Sequence, residues 1–284
     1  QVALRLLDKA GAMIGLDNLG MGPELEKVFC SLISRPQGVF LSTGPTGSGK
    51  TTTLYGALAY INTPEKNILT VEDPVEYIID GIGQTQVNPK INLDFAKALR
   101  SFLRQDPDVI MVGEIRDEET ARIAIQAALT GHLVFSTLHT NDSASALTRL
   151  IDMGIEPYLL TSSITAILAQ RLVRRICPHC RQAYSPSDYE ERLLKEYLGS
   201  QDGVVYRGVG CDECLHTGYM GRIGIFELLT LNSKLRSMVQ KKMSSEEIKA
   251  EAVKDGMITL RDDGIRKALD GLTTLSEIIR VTIE

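Results

Sequence analysis

"GPTGSGKTTTLYGAL", residues 44–58, is the stretch on which the fold turns. It matches G-x-x-x-x-G-K-[ST] with Gly44, Gly49, Lys50 and Thr51 in register, after the apolar run Val39 to Leu41 and before a helix-like run from Thr52 to Tyr60. Strand, glycine loop and helix in that order make a phosphate-binding loop. Successive backbone N–H groups turn inward as an anion nest, and the dipole of the following helix adds positive potential. The predicted nucleotide-binding segment is Gly44, Pro45, Thr46, Gly47, Ser48, Gly49, Lys50, Thr51 and Thr52. In it Lys50 reaches the β- and γ-phosphates of a nucleoside triphosphate, and the Thr51 hydroxyl holds Mg²⁺. A plain glycine-rich turn is the competing reading, and three glycines in register with GKT weigh against it.

Outward from this loop, apolar strands alternate with helix-length segments, the pattern of an α/β fold with a parallel-rich sheet wrapped by helices. Strands are predicted at Val39 to Ser42, Asn67 to Glu72, Val109 to Gly113 and His132 to Leu138; they are apolar throughout, as strands buried on both faces require. At 284 residues about two domains are expected. A net charge of −5 and a pI near 5.5 speak against a broadly basic track and hence against nucleic acid as partner. No apolar run approaches the ~20 residues of a membrane span, and no charged-then-apolar leader stands at Gln1, so a cytoplasmic chain is expected. Val2, Leu4 and Leu6 alternate with Ala3 and Arg5 and read as the last strand of a domain whose earlier part is missing.

Acidic residues gather where strands end. "ILTVEDPVEY" runs from a strand into Glu72, Asp73, Pro74 and Glu76, and "DVIMVGEIRD" ends its apolar run in Gly113 and Glu114. Ligands of open α/β sheets lie at the carboxyl ends of strands, so these carboxylates are candidates to orient water or to hold Mg²⁺, directly or through water. "TGHLVFSTLHTND" sets His132 and His139 at the two ends of a further strand; a strand-end histidine taken singly is usually a hydrogen-bonding residue. Arg100 and Arg104 stand four apart in "ALRSFLRQDPD", and Arg116 follows close on Glu114. A solvated helix face explains any one of them, whereas an arginine at a subunit boundary can stabilise a neighbour's phosphoryl transition state.

Four of the five cysteines form "CPHC" (Cys177, Cys180) and "CDEC" (Cys211, Cys214), thirty residues apart. Paired C-x-x-C knuckles at such a distance suit a structural Cys₄ Zn²⁺ site. A pair of disulfides competes, and the ATP-using, cytosolic reading of the chain disfavours it. Cys30, in "LEKVFCSLI", reads as a core residue.

The order of phosphate loop, VEDPVEY, VGEIRD and GHLVFSTLHTND resembles the secretion-superfamily ATPases, in the branch that powers type II secretion and type IV pilus assembly; the resemblance runs from "LRLLDKAG" to "RVTIE". It implies a RecA-like core, a homo-hexameric ring and ATP-driven conformational work. It makes Glu72 the catalytic acid, with Glu76 as alternative, Glu114 the Mg²⁺-associated acid and His139 a residue near the phosphates. Arg5, Arg100, Arg104 and Arg116 become candidates for action between subunits. The tetracysteine unit, carried by assembly-type members and generally not by retraction motors, favours assembly of a pseudopilus for secretion, with pilus extension as alternative. Partners implied are the inner-membrane platform and cytoplasmic-domain proteins of such a machine, which would place the chain in the cytoplasm, peripheral to that membrane. A nucleic-acid translocase and a low-turnover regulatory module are the further readings. The expected division is 1–10, the end of a truncated domain; 11–176, the ATPase core; 177–230, the tetracysteine subdomain; and 231–284, a helical segment.

Overall fold

Strands apolar on both sides need a layer of helices on each face, and the computed structural model, which describes residues 15–199 and 203–282, has that arrangement. The segment 1–10, with its expected strand and Arg5, lies outside the described residues. Helix α1 (Pro23–Ile33) precedes β1 (Gly38–Thr43), which passes through the glycine loop into α2 (Lys50–Ile61). There follow β2 (Ile68–Glu72), β3 (Gly83–Gln86), α3 (Phe95–Phe102), β4 (Val109–Val112), α4 (Glu118–Leu129), β5 (Leu133–Leu138), α5 (Ser143–Asp152) and α6 (Pro157–Ser163). The long β6 (Ile164–Ile176) leads to β7 (Arg181–Tyr184), α7 (Asp188–Leu198), β8 (Val205–Gly208) and β9 (Tyr219–Thr230). Four short helices close the chain: α8 (Ser233–Gln240), α9 (Ser245–Lys254), α10 (Leu260–Leu269) and α11 (Leu275–Thr282).

The main sheet has the order β3-β2-β4-β5-β1-β6-β9, and every neighbouring pair is parallel except β6 with β9. Alternation along each strand sorts the core into two layers. Leu41, Val71, Ile110 and Val134 face the layer that contains α3 to α6, while Phe40, Ile68, Met111 and Phe135 face α1 and α2. Strand β1 is an interior strand, between β5 and β6, which places the glycine loop away from the edges of the sheet.

Beyond Ala169, the last residue of β6 paired with β1, β6 continues against β9 as a two-stranded ribbon whose end carries the cysteine knuckles. Tyr219–Thr230, grouped by composition with the cysteine segment, is therefore the edge strand of the main sheet. Glycine and cysteine content marks the knuckles but cannot reveal a pairing with residues more than sixty positions earlier, such as Thr230 with Ala166. Helices α8 and α9 pack on the sheet layer through Leu235, Val239 and Ile248; α10 and α11 join α7 beneath the ribbon around Val173, Ile225, Ile265 and Ile278.

Helices this short are marginal alone, and their ends are stabilised locally. Ser244 and Thr259 form capping boxes with Glu247 and Asp262 at the starts of α9 and α10. A buried ion pair then latches α10 to β9. Lys267 Nζ lies 2.6 Å from Asp263 Oδ2 and donates to the Gly224 carbonyl at 2.7 Å, while the same Asp263 oxygen accepts from the Phe226 N–H at 2.9 Å. Asp263→Ala strands that ammonium in the core and should cost ~3–5 kcal/mol in urea unfolding; adding Lys267→Met, which leaves no buried charge, should recover part of the loss.

Candidate functional site

Parallel β1, β2, β4 and β5 deliver their carboxyl ends, and so the loops that follow them, to one rim of the sheet. On that rim the phosphate loop is shaped by β6 beside it. Gly44 (φ 149°) and Gly49 (φ 90°) adopt backbone conformations that side chains disfavour, and a Cβ at either would meet Gln170, 2.5 Å from its carbonyl oxygen and 2.7 Å from its Nε2. Gln170 is itself fixed, because its Oε1 accepts from the Thr53 hydroxyl of α2 at 2.8 Å.

Lys50 is buried and its Nζ donates to the Gly44 and Pro45 carbonyls at 2.7 and 3.0 Å. Burial brings its pKa down to about 8; the charge of Glu114 opposes the shift and that of Arg171 adds to it. Among the described residues Ser48 Oγ is a buried hydroxyl with no hydrogen-bond partner. Nest, helix N-terminus, lysine and unpartnered hydroxyl together fit a polyphosphate anion.

Glu114 stands opposite. Its Oε1 accepts from Arg116 Nη2 at 2.5 Å, and its Oε2 is 3.5 Å from His139 Nε2. The Arg116 hydrogen bond outweighs burial and holds the carboxyl below its ordinary value, with His139 and Lys50 adding to the effect. Burial, with the Lys50 charge, lowers His139 despite the attraction of Glu114, so the imidazole is neutral at neutral pH. Thr43 at the end of β1 secures the loop after His139, its hydroxyl 2.6 Å from that of Thr140 and accepting from the Thr140 N–H at 3.1 Å. His132, at the other end of β5, contacts the Ala127 carbonyl at 2.8 Å and belongs to the end of α4.

Glu72 is enclosed rather than presented. Its carboxylate is buried, and it accepts from the Tyr55 hydroxyl, from Thr70 Oγ1 at 2.6 Å and from Gln84 Nε2 at 3.2 Å. Tyr55, on α2, also accepts from the Glu76 N–H at 3.3 Å, so one hydroxyl joins the phosphate-loop helix to the Glu72–Glu76 turn. Glu76 is partly exposed.

Of the candidate arginines the structure brings Arg116 to this site, bonded to Glu114 and 3.9 Å from Asp73. Arg100 is paired with Glu119 on α4, and Arg104, beyond the end of α3 rather than on its face, donates to the Arg100 carbonyl at 2.9 Å. Gln170, Arg171 and Tyr55 escaped sequence reasoning. For the first two a signal existed, a polar pair interrupting an apolar strand in "ILAQRLV".

The four cysteine sulfurs lie within 4.8 Å of one another, with Cys177–Cys211, Cys180–Cys214 and Cys211–Cys214 at 3.8, 3.9 and 3.7 Å. Disulfides would need ~2.05 Å. Tetrahedral zinc with Zn–S bonds of ~2.3 Å has thiolate edges of ~3.8 Å, so this donor set fits that ion. Burial would raise the Cys214 thiol, but N–H groups of Cys211 and Gly218 donate to its sulfur at 3.3 and 3.2 Å and help bring it down to about 6. No helix among the described residues is long and apolar enough to cross a membrane.

A family model described as Type II/IV secretion system protein matches residues 1–280. The chain is 52% identical over 284 residues to the Type II secretion system ATPase E of Vibrio cholerae, covering 100% of this chain and 56% of that protein. It is also 52% identical over 285 residues to the Type IV pilus assembly ATPase PilB of Thermus thermophilus, of which it covers 32%. The chain thus spans about half the length, or less, of these relatives. A crystal structure of the pilus retraction motor PilT with bound ADP superposes with a TM-score of 0.71 at 29% identity, over 95% of this chain and 67% of that one. The core has the fold of that motor ATPase.

Because the Glu72 carboxylate is buried, losing one donor leaves an acceptor unsatisfied. Tyr55→Phe should therefore destabilise the fold by ~1–3 kcal/mol, read as a lowered midpoint in chemical denaturation.

Proposed function

The chain belongs to the Type II/IV secretion system protein family, and from that premise we propose that it is the ATP-hydrolysing part of a motor that powers assembly of a pseudopilus for type II protein secretion. The observation that carries this reading is the convergence of Lys50, Glu114 and His139 on the rim above the phosphate loop. Pilus extension is the second reading, because identity to the Thermus pilus ATPase equals that to the Vibrio secretion ATPase. Six copies in a ring, docked on an inner-membrane platform from the cytoplasmic side, complete the proposal.

In this reading Gly44 to Thr52 cradle the triphosphate, with Lys50 on its β- and γ-groups and the Thr51 hydroxyl and Glu114 as the Mg²⁺ holders. Mg²⁺, when bound, neutralises charge developing on the phosphoryl oxygens. Neutral His139 stands beside Glu114, its Nε2 3.5 Å from the Glu114 Oε2. The burial of Glu72 favours a division of labour in the Glu72–Glu76 turn: Glu72 anchors it, and Glu76, partly exposed, is the carboxylate that orients the attacking water.

Phosphate release by the purified chain, titrated with Mg-ATP, tests the assignment. Lys50→Ala should weaken nucleotide binding at least ~10-fold, since it removes ground-state charge. Glu76→Gln and Glu114→Gln should keep binding within a few-fold and slow turnover ~100-fold or more. Glu72→Gln should lower stability while turnover falls less than in Glu76→Gln. Turnover indifferent to Lys50→Ala would refute the proposal, and stimulation by DNA would point to a translocase instead.

We propose further that one Zn²⁺ sits on Cys177, Cys180, Cys211 and Cys214. Elemental analysis should find about one zinc per chain. Cys211→Ser should release it and expose the knuckles to protease while the nucleotide core stays folded, because metal binding supplies folding free energy locally.

A further inference from the structure

The loop that carries His139 is gripped from its far side by the C-terminal half of the chain. Glu227, on β9, is fully buried, and its Oε1 accepts from both the N–H (2.9 Å) and the hydroxyl (2.5 Å) of Ser143, the first residue of α5. Its Oε2 accepts from the N–H of Leu260, the first residue of α10, at 3.4 Å. Two helix N-termini therefore converge on one buried carboxylate, where their dipoles favour negative charge. Lys249 of α9 approaches the same group to 3.7 Å and donates at 2.8 Å to Asp142, the N-cap of α5.

Only Thr140 and Asn141 separate His139 from this cluster. Thr140 is tied to β1 through Thr43, and the Asn141 carbonyl accepts from Arg171 Nη2 of β6 at 3.0 Å. The four residues from Thr140 to Ser143 are thus held by β1 and β6 at one end and by β9 and α9 at the other, which ties the His139 loop to the C-terminal helices. Stability alone is a poor reason for such a cluster, because an apolar set of similar volume often serves a core as well or better. What the ions add is a fixed geometry among α5, α9, α10 and the His139 loop.

We propose that Glu227 and Lys249 are positioning residues that set His139 against Glu114, so that displacement of the C-terminal helices is felt at the nucleotide rim. The inference rests on the hydrolytic function proposed above. It predicts that loosening the cluster impairs turnover more than nucleotide binding.

The test pairs kinetics with a signal that needs no turnover. Among the four histidines, the His139 Cε1–Hε1 resonance is identified by its loss in His139→Gln. In the full chain, Lys249→Met should move that resonance and lower kcat about tenfold with KM within about threefold, and Lys249→Arg should restore both. Glu227→Gln, which keeps an acceptor for Ser143, should move the resonance in the same direction by less, and decides the matter should Lys249→Met fail to fold. A folded variant whose His139 resonance is unmoved overturns the coupling, as does a parallel loss of nucleotide affinity and turnover that Lys249→Arg cannot repair. Failure of the unaltered chain to hydrolyse ATP would instead strike at the proposed function, while the resonance still judges the linkage.

Discussion

The phosphate loop has to pass β6 at a distance that leaves no room for a side chain. Gly44 and Gly49 both face Gln170 so closely that a single added carbon would collide with it, and the rest of the rim is built around that approach. Gln170 in turn holds Thr53, which sets the first turn of α2 and with it Lys50. Once β1, β6 and α2 are locked together in this way, β4 and β5 follow from parallel pairing, and Glu114 and His139 arrive opposite the lysine. One tight backbone contact thus decides where three elements meet.

Electrostatics on the rim follow from the same crowding. Lys50, Arg116 and Arg171 bring positive charge to a partly buried region, where Glu114 and Asp73 answer Arg116. The Arg116 hydrogen bond keeps the Glu114 carboxyl ionised although it is partly buried, while burial and the Lys50 charge, against the pull of Glu114, make the neighbouring imidazole give up its proton readily. Lys50 stands beside the nest of backbone N–H groups, an arrangement suited to a highly charged anion. The overall acidity of the chain gives no hint of this, since net charge averages over surfaces that the rim does not touch.

Much of this organisation was legible in the linear chain. The strands that bear the site are apolar throughout and bounded by turn residues, so their place in a parallel sheet could be read with bounds close to those observed, as with Val39 to Ser42 against Gly38–Thr43. The paired cysteines announced their cluster by spacing alone. Illegible features depended on partners distant in sequence. Glu72 and Glu114 look alike as strand-end acids, yet Tyr55, Thr70 and Gln84 enclose one while the other faces Lys50, and no local pattern distinguishes them. His132 and His139 likewise share a motif and differ in their neighbours. The destiny of β9 could not be read from glycine and cysteine content, because it was set by its match to β6.

The length of β6 has a mechanical consequence. From Gln170, against the phosphate loop, to Ile176, the residue before the first knuckle, the strand travels ~20 Å at ~3.3 Å per residue, with one register irregularity against β9 between Arg174 and Ile176. Its pairing with β9 stiffens it as a second ply stiffens a beam. A tilt of ~5° at the Gln170 end would sweep the far tip through ~2 Å, by the geometry of a rod of that length. The cysteine cluster thus stands at the end of a stiff arm that begins at the phosphate loop and is bonded along its length to α11 and the turn before it, so that any tilt of the arm would carry that helix with it.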